Sequence, residues 1–169
     1  RGGNKLKIRP IEVRDAEQFL ALSKKLDESN FMLYEPGERQ TTPEQQAKSI
    51  ETILSKKNSI IFVAEVEGNL VGFIAAIGNQ FQRNKHCAYL VIGVLDMYQG
   101  QGIATKLFDH VFDWAKEVKL SRLELTVIKD NNKAFNLYKK MGFTLEGEKV
   151  NSLIIDGNPT NEYYLYKLL

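Results

Sequence analysis

A strand-like apolar run, a glycine-rich turn and a helix-like apolar run follow one another at residues 88–118, and this succession constrains the fold most. Ala88–Leu95 is the first run, Gln99-Gly100-Gln101-Gly102-Ile103-Ala104 the turn, and Ile103–Val118 the amphipathic run that opens from it. Glycines at such a junction let the backbone turn sharply and leave little side chain over its amides. The first amides of the following helix have no intrahelical partner, and the helix dipole adds positive potential there. Strand, turn and helix start together make a seat for a phosphate or pyrophosphate.

Two common versions of that seat are excluded. A dinucleotide fingerprint needs a third glycine three positions after Gly102, where this chain has Thr105,. A Walker A loop ends in Gly-Lys-Ser/Thr, and here the corresponding residues are Ala104-Thr105-Lys106,.

The rest of the chain supplies an α/β setting. Leu6–Arg9 reads as a strand, and Ala16, Phe19, Leu20 and Leu26 give an amphipathic helix ending near Ser29,. Phe31–Thr41 is a loop. Thr42-Pro43-Glu44-Gln45 starts a second helix, with Thr as cap, Pro at the first helical position and Gln completing the box,. That helix is expected to run to about Lys57. Ile60–Val66 and Leu70–Ile77 are strands joined at Glu67-Gly68-Asn69, apolar on both faces and therefore covered on both,. A polar connection over Gln80–Lys85 leads to Ala88–Leu95. Beyond the glycine turn, Ile103, Leu107, Val111, Ala115 and Val118 recur at helical spacing,. Leu123–Val127 reads as a buried strand, Asn132–Met141 as a short helix stopped by Gly142, and Phe143–Ile155 with Glu162–Leu168 as a terminal hairpin,. The expected fold is a mixed α/β sheet of order β-α-α-β-β-β-α-β-α-β-β.

Composition bounds the function. A length of 169 residues fits a single domain over residues 5–169, and a 43% apolar share supplies its core,. Arg1–Asn4, without an initiator Met, reads as a processed or added end,. A net charge of +2 with no basic stripe argues against nucleic acid as a partner,. No apolar run reaches the roughly 18 residues of a membrane span. The single cysteine, Cys87, excludes an intramolecular disulfide and suits a reducing, cytoplasmic compartment,. His86 and His110 lack partners at metal-ligand spacing, so no metal is expected and both read as surface or packing residues.

The turn resembles the Gln/Arg-x-x-Gly-x-Gly/Ala signature of the GNAT N-acetyltransferase superfamily at Gln99, Gly102 and Ala104. A second segment, Asn131–Phe143, is similar to the family's Asn-x-x-Ala-x-x-Leu-Tyr-x-x-x-Gly-Phe motif at Asn131, Ala134, Leu137, Tyr138, Gly142 and Phe143. The element order is also that of the GNAT acyl-CoA N-acyltransferase fold, so the resemblance covers nearly the whole chain.

That resemblance implies acetyl-CoA as donor, with its pyrophosphate at Gln99–Thr105, a run that includes Gly100, Gln101 and Ile103. It implies pantetheine along the fourth strand at Ile92, Gly93 and Val94, with the Ile92 amide facing the acetyl carbonyl. Asn131, Lys133 and Ala134 would border the coenzyme, although Asn131 is equally an N-cap for its own helix. Ala134, Leu137, Tyr138 and Met141 share a helix face, so Tyr138 is expected to point inward. The resemblance makes its hydroxyl the acid for the departing thiolate; a phenol of pKa around 10 is protonated at neutral pH. Gly93 is compatible with a β-bulge.

The base stays open. Many relatives carry an acid at the position of Tyr89, and Glu35, Glu38 or a chain of waters are the substitutes. Phe31, Tyr34, Glu35 and Tyr89 are expected to wall the acceptor site. The implied activity is direct acetyl transfer to a primary amine, on a small molecule or a protein N-terminus, with a homodimer allowed by the same resemblance. The alternative is a non-catalytic acyl-CoA-binding module.

Overall fold

A computed structural model describes residues 5–169, so the reading of Arg1–Asn4 lies outside the described residues. The strands are β1 (Leu6–Pro10), β2 (Ile60–Val66), β3 (Asn69–Gly78), β4 (Cys87–Val94), β5 (Arg122–Ile128), β6 (Thr144–Ile155) and β7 (Asn158–Leu168). The helices are α1 (Ala16–Asp27), α2 (Pro43–Leu54), α3 (Ile103–Glu117) and α4 (Asn132–Lys140). The strands form one seven-stranded sheet in the order β1-β2-β3-β4-β5-β7-β6. Every neighbouring pair is antiparallel except β4 with β5.

Both faces of β2 and β3 are buried, as their apolar runs require. Ile61, Val63, Phe73 and Ala75 pack under α1 and α2, while Phe62, Ala64, Ile74 and Ala76 pack under α3 and α4. The stripe Ile103–Leu107–Val111–Ala115 is the buried face of α3. Beneath α1 and α2 the core takes no residue from β5, β6 or β7, leaving that face of the last three strands open.

Helix starts follow the local chemistry. The Thr42 hydroxyl accepts from Gln45 N–H at 3.1 Å and the Gln45 side chain accepts from Thr42 N–H at 2.9 Å. Gly142 stops α4 with φ of +95°, a conformation that favours glycine,.

Three expectations change. The strand-like run at Leu123–Val127 is buried on one face only: Leu123, Leu125 and Val127 are buried, Arg122, Glu124 and Thr126 are not. The terminal hairpin turns within Asp156-Gly157, so β7 begins at Asn158 rather than Glu162. Gly93 is not a bulge, because β3 and β4 keep continuous register through it. A Cβ there would lie 2.7 Å from Leu26 Cδ1, so the glycine lets α1 approach β4.

Candidate active site

The site is built where β4 and β5 part. Their parallel ladder contains only Cys87–Arg122, Ala88–Leu123 and Tyr89–Glu124. On the other side of β4, Leu95 N–H donates to Val71 O at 2.9 Å and Asn79 N–H to Cys87 O at 3.0 Å. Main-chain groups alternate sides along a strand, so odd-numbered residues of β4 bond β3 and even-numbered ones face β5. Ile92 and Val94 therefore turn their N–H and C=O groups into the gap, beyond the end of the ladder. Such groups are a template for strand-like pairing with an extended ligand.

At the C-terminal end of β4 the glycine turn closes the gap. Gly100 and Gly102 have φ of +77° and +80°, and no atom lies within 4 Å of where their Cβ would be. Gly102 caps α3 without a side-chain hydrogen bond, and no acid occupies the helix's first turn. The amides that start the helix are thus left to an external anion. Gln99 ties this turn to both sides of the groove: its Nε2 donates to Val94 O at 3.0 Å, and its Oε1 accepts from Lys133 Nζ at 2.6 Å. Gln101 is exposed and bonds back to Met97 O, while Ile103 is buried under the sheet and Ala104 and Thr105 are half-buried.

Helix α4 forms the second wall. Asn131 is its N-cap, accepting from Ala134 N–H at 3.3 Å. Tyr138 points inward, 8% exposed, with its ring against Phe108 and Phe143. Ile92 and Val94 pack against the same cluster. The Tyr138 hydroxyl makes no hydrogen bond to the described residues and is not sealed from solvent. Burial pushes its pKa above the ordinary phenol value, with a further rise from Tyr89 nearby,. The group therefore holds its proton through the neutral range.

Tyr89 lies on the opposite face of the sheet from Ile92 and Val94, where no helix covers β5. Its hydroxyl is 2.7 Å from Thr126 Oγ1, bridging β4 and β5 at the point where they part. Around them is a cavity of about 350 Å³, lined also by Glu124, Glu146 and Tyr164. Arg122 donates to both carboxylates and lies 5.0 Å from the Tyr166 ring. Sequence reasoning missed Thr126, Glu124, Glu146 and Tyr164. The alternation of Arg122, Glu124 and Thr126 with buried leucines was the available signal for the first two.

The remaining acceptor-site expectations fall in another place. Tyr34 and Glu35 line a smaller depression of about 40 Å³ against Leu153–Asp156 at the tip of the last hairpin. Phe31 is exposed beside them. Neither cavity contains both Tyr34 and Tyr89. Glu38 is occupied within its own loop, its carboxylate accepting from Glu35 N–H at 2.9 Å. Cys87 is buried, and burial raises its thiol pKa, which makes it a poor nucleophile,.

No helix among the described residues is long and apolar enough to cross a membrane.

Comparison with known proteins agrees with this architecture. The chain is similar to the spermidine N(1)-acetyltransferase of Escherichia coli, 28% identical over 158 residues, which span 92% of this chain and 82% of that one. A GNAT-family acetyltransferase from Streptococcus pneumoniae superposes with a TM-score of 0.93 at 27% identity, covering 98% of this chain and 100% of that one. A Salmonella typhimurium chain solved with its cofactor acetyl-CoA superposes at 0.87, covering 97% and 94%; at 15% identity it shares the fold alone. The sequence profile of the acetyltransferase (GNAT) family matches residues 22–143. The chain belongs to that family and is an acyltransferase.

Proposed function

We propose that this enzyme transfers the acetyl group of acetyl-CoA directly to a primary amine of a small molecule. The observation that carries the reading is the gap between β4 and β5: backbone of Ile92 and Val94 without a strand beside it, and Tyr138 packed in the same cluster. The residues present fit the coenzyme. The uncapped start of α3 behind Gly100 and Gly102 suits a pyrophosphate, with Lys133 beside it for a further anionic group. When bound, acetyl-CoA supplies an acyl group already activated as a thioester.

The chain's own groups divide the remaining work. Ile92 N–H donates into the gap and stabilises negative charge developing on a carbonyl oxygen. Tyr138 keeps a proton at its hydroxyl for delivery to a departing anion,. Asn131 holds the start of α4 beside the groove through its cap. The amine must lose a proton before it attacks, because an alkyl amine is only about one part in a thousand neutral at pH 7. Tyr89 and Thr126 offer hydroxyls at the mouth of the gap, and the cavity beyond them leads that proton to water. The anionic lining of the cavity and the relative named for spermidine both support a cationic small molecule over an acidic one. Such an enzyme works where acetyl-CoA is present, in the cytoplasm.

Thiol release from acetyl-CoA, followed with a panel of mono- and diamines, tests the reading. Turnover with at least one amine is expected. Tight coenzyme binding with no release on any acceptor refutes it.

A further inference from the structure

The cavity beside Tyr89 carries a charge imbalance that the transfer step does not need. It measures about 350 Å³ and lies on the uncovered face of the sheet, at the Tyr89–Thr126 hydroxyl pair where β4 and β5 part. Two carboxylates from different strands line it, Glu124 on β5 and Glu146 on β6. One guanidinium serves both: Arg122 Nε donates to Glu124 Oε2 at 2.7 Å, and its Nη2 to Glu146 Oε1. The second oxygen of each carboxylate accepts no hydrogen bond from the described residues. A further cation, Lys149, lies 5.5 Å from the centroid of the Tyr164 ring, and Glu162 pairs with it at 3.6 Å. Lys149 and Glu162 cancel in formal charge, whereas Arg122 with Glu124 and Glu146 leaves one negative charge over.

We infer that the acceptor carries a second cationic nitrogen, and that this cavity seats it against Glu124 and Glu146. The inference rests on the proposed acetyl transfer to an amine at the gap, but its physical grounds are the charges of the cavity. Two carboxylates on two nitrogens of one guanidinium are held close together, and like charges at that range repel. A cation between their free oxygens relieves the repulsion. The attacking nitrogen cannot be that cation, because it must be neutral, and carboxylates beside it would stabilise its protonated form. The seat also lies away from the reacting atoms. Glu124 pairs with Tyr89 in the ladder, and Ile92 stands three residues farther along β4, roughly 10 Å at the rise of a strand,. The rings of Tyr89 and Tyr164 in the cavity wall give an aliphatic chain an apolar surface between its two charged ends,.

The test pairs each diamine with the amino alcohol of the same length, putrescine with aminobutanol and hexamethylenediamine with aminohexanol. Each alcohol keeps the reacting amine and a polar far end but lacks the second charge. In wild type the diamine KM is expected to be at least about fivefold below that of its alcohol. Glu124→Gln and Glu146→Gln each keep a hydrogen-bond acceptor for Arg122 and remove a charge, so both should bring that ratio toward one. Equal KM values for diamine and alcohol in wild type overturn the seat, as does a ratio that neither variant moves. Calorimetry of putrescine and hexamethylenediamine on enzyme saturated with CoA reads the same seat without turnover. Diamine binding that both variants weaken, with no acetyl transfer to any amine, upholds the seat and overturns the acetyltransferase reading. Neither binding nor transfer of any of the amines overturns both.

Discussion

At the residue scale, the two ionisable groups with the clearest environments are Tyr138 and Asp15; burial favours the neutral form of both, and only Asp15 has a charged partner that outweighs it,. Tyr138 has no ionic partner, so removal from water favours its neutral form and raises its pKa,. Tyr138→Phe should lower kcat by at least about tenfold while leaving CoA affinity unchanged, measured by thiol release and calorimetry. The sign of the shift adds a pH prediction: wild-type kcat should show no falling limb from Tyr138 anywhere below about pH 10. Asp15 is buried beside a partner. Its carboxylate accepts from Arg9 Nη1 and Nη2 at 2.8 and 2.9 Å and from Glu12 N–H at 2.8 Å. The Arg9 hydrogen bonds hold its pKa below the ordinary 3.8. A depressed carboxylate stabilises the fold above its unfolded pKa and ceases to do so as pH falls through the folded one. Urea melts across pH should therefore show stability lost below about pH 4 in wild type, with that component absent in Asp15→Asn.

At the element scale, helix ends were legible in the sequence because capping is a contact among residues within one turn. The Thr42–Gln45 box and the Gly142 stop both appear where the residues put them. Removing the cap should cost about 1 kcal/mol, so Thr42→Ala should melt a few degrees lower with its kcat retained. The turn before α3 is local in the same way. Gly102 sits at φ +80° in open space, so Gly102→Ala strains the backbone by about 1–2 kcal/mol and puts a methyl over the helix start,. CoA affinity should fall more than stability, which titration and thermal melts on the one variant will separate. Gly93 was misread for the converse reason. A bulge is a local device, but what demands glycine there is Leu26 of α1, far away in the chain.

At the scale of the whole molecule, the sheet is two blocks joined by a short ladder. β2 and β3 are covered on both faces; β5 to β7 are open on one, and the ladder across the join pairs only residues 87–89 with 122–124. That arrangement predicts a pattern in amide hydrogen exchange. Val91 and Gly93, bonded to β3, should exchange slowly, while Ile92 and Val94 exchange much faster in the free protein. Saturating acetyl-CoA should slow Ile92 and Val94. Uniform protection along β4 without ligand would show that the strands do not part.

The sequence alone determined the element order, the helix caps, the glycine turn and the inward face of Tyr138, because each depends on spacing within a few residues. It carried the family through two motifs for the same reason. What it left open was decided by tertiary structure: that the ladder between β4 and β5 ends at Tyr89, that Thr126, Glu124 and Glu146 open a cavity beside it, and that Tyr34 lies in a different depression. These are relations between strands and loops brought together from distant parts of the chain. No periodicity records them, since the partner across a sheet is set by how the whole sheet packs.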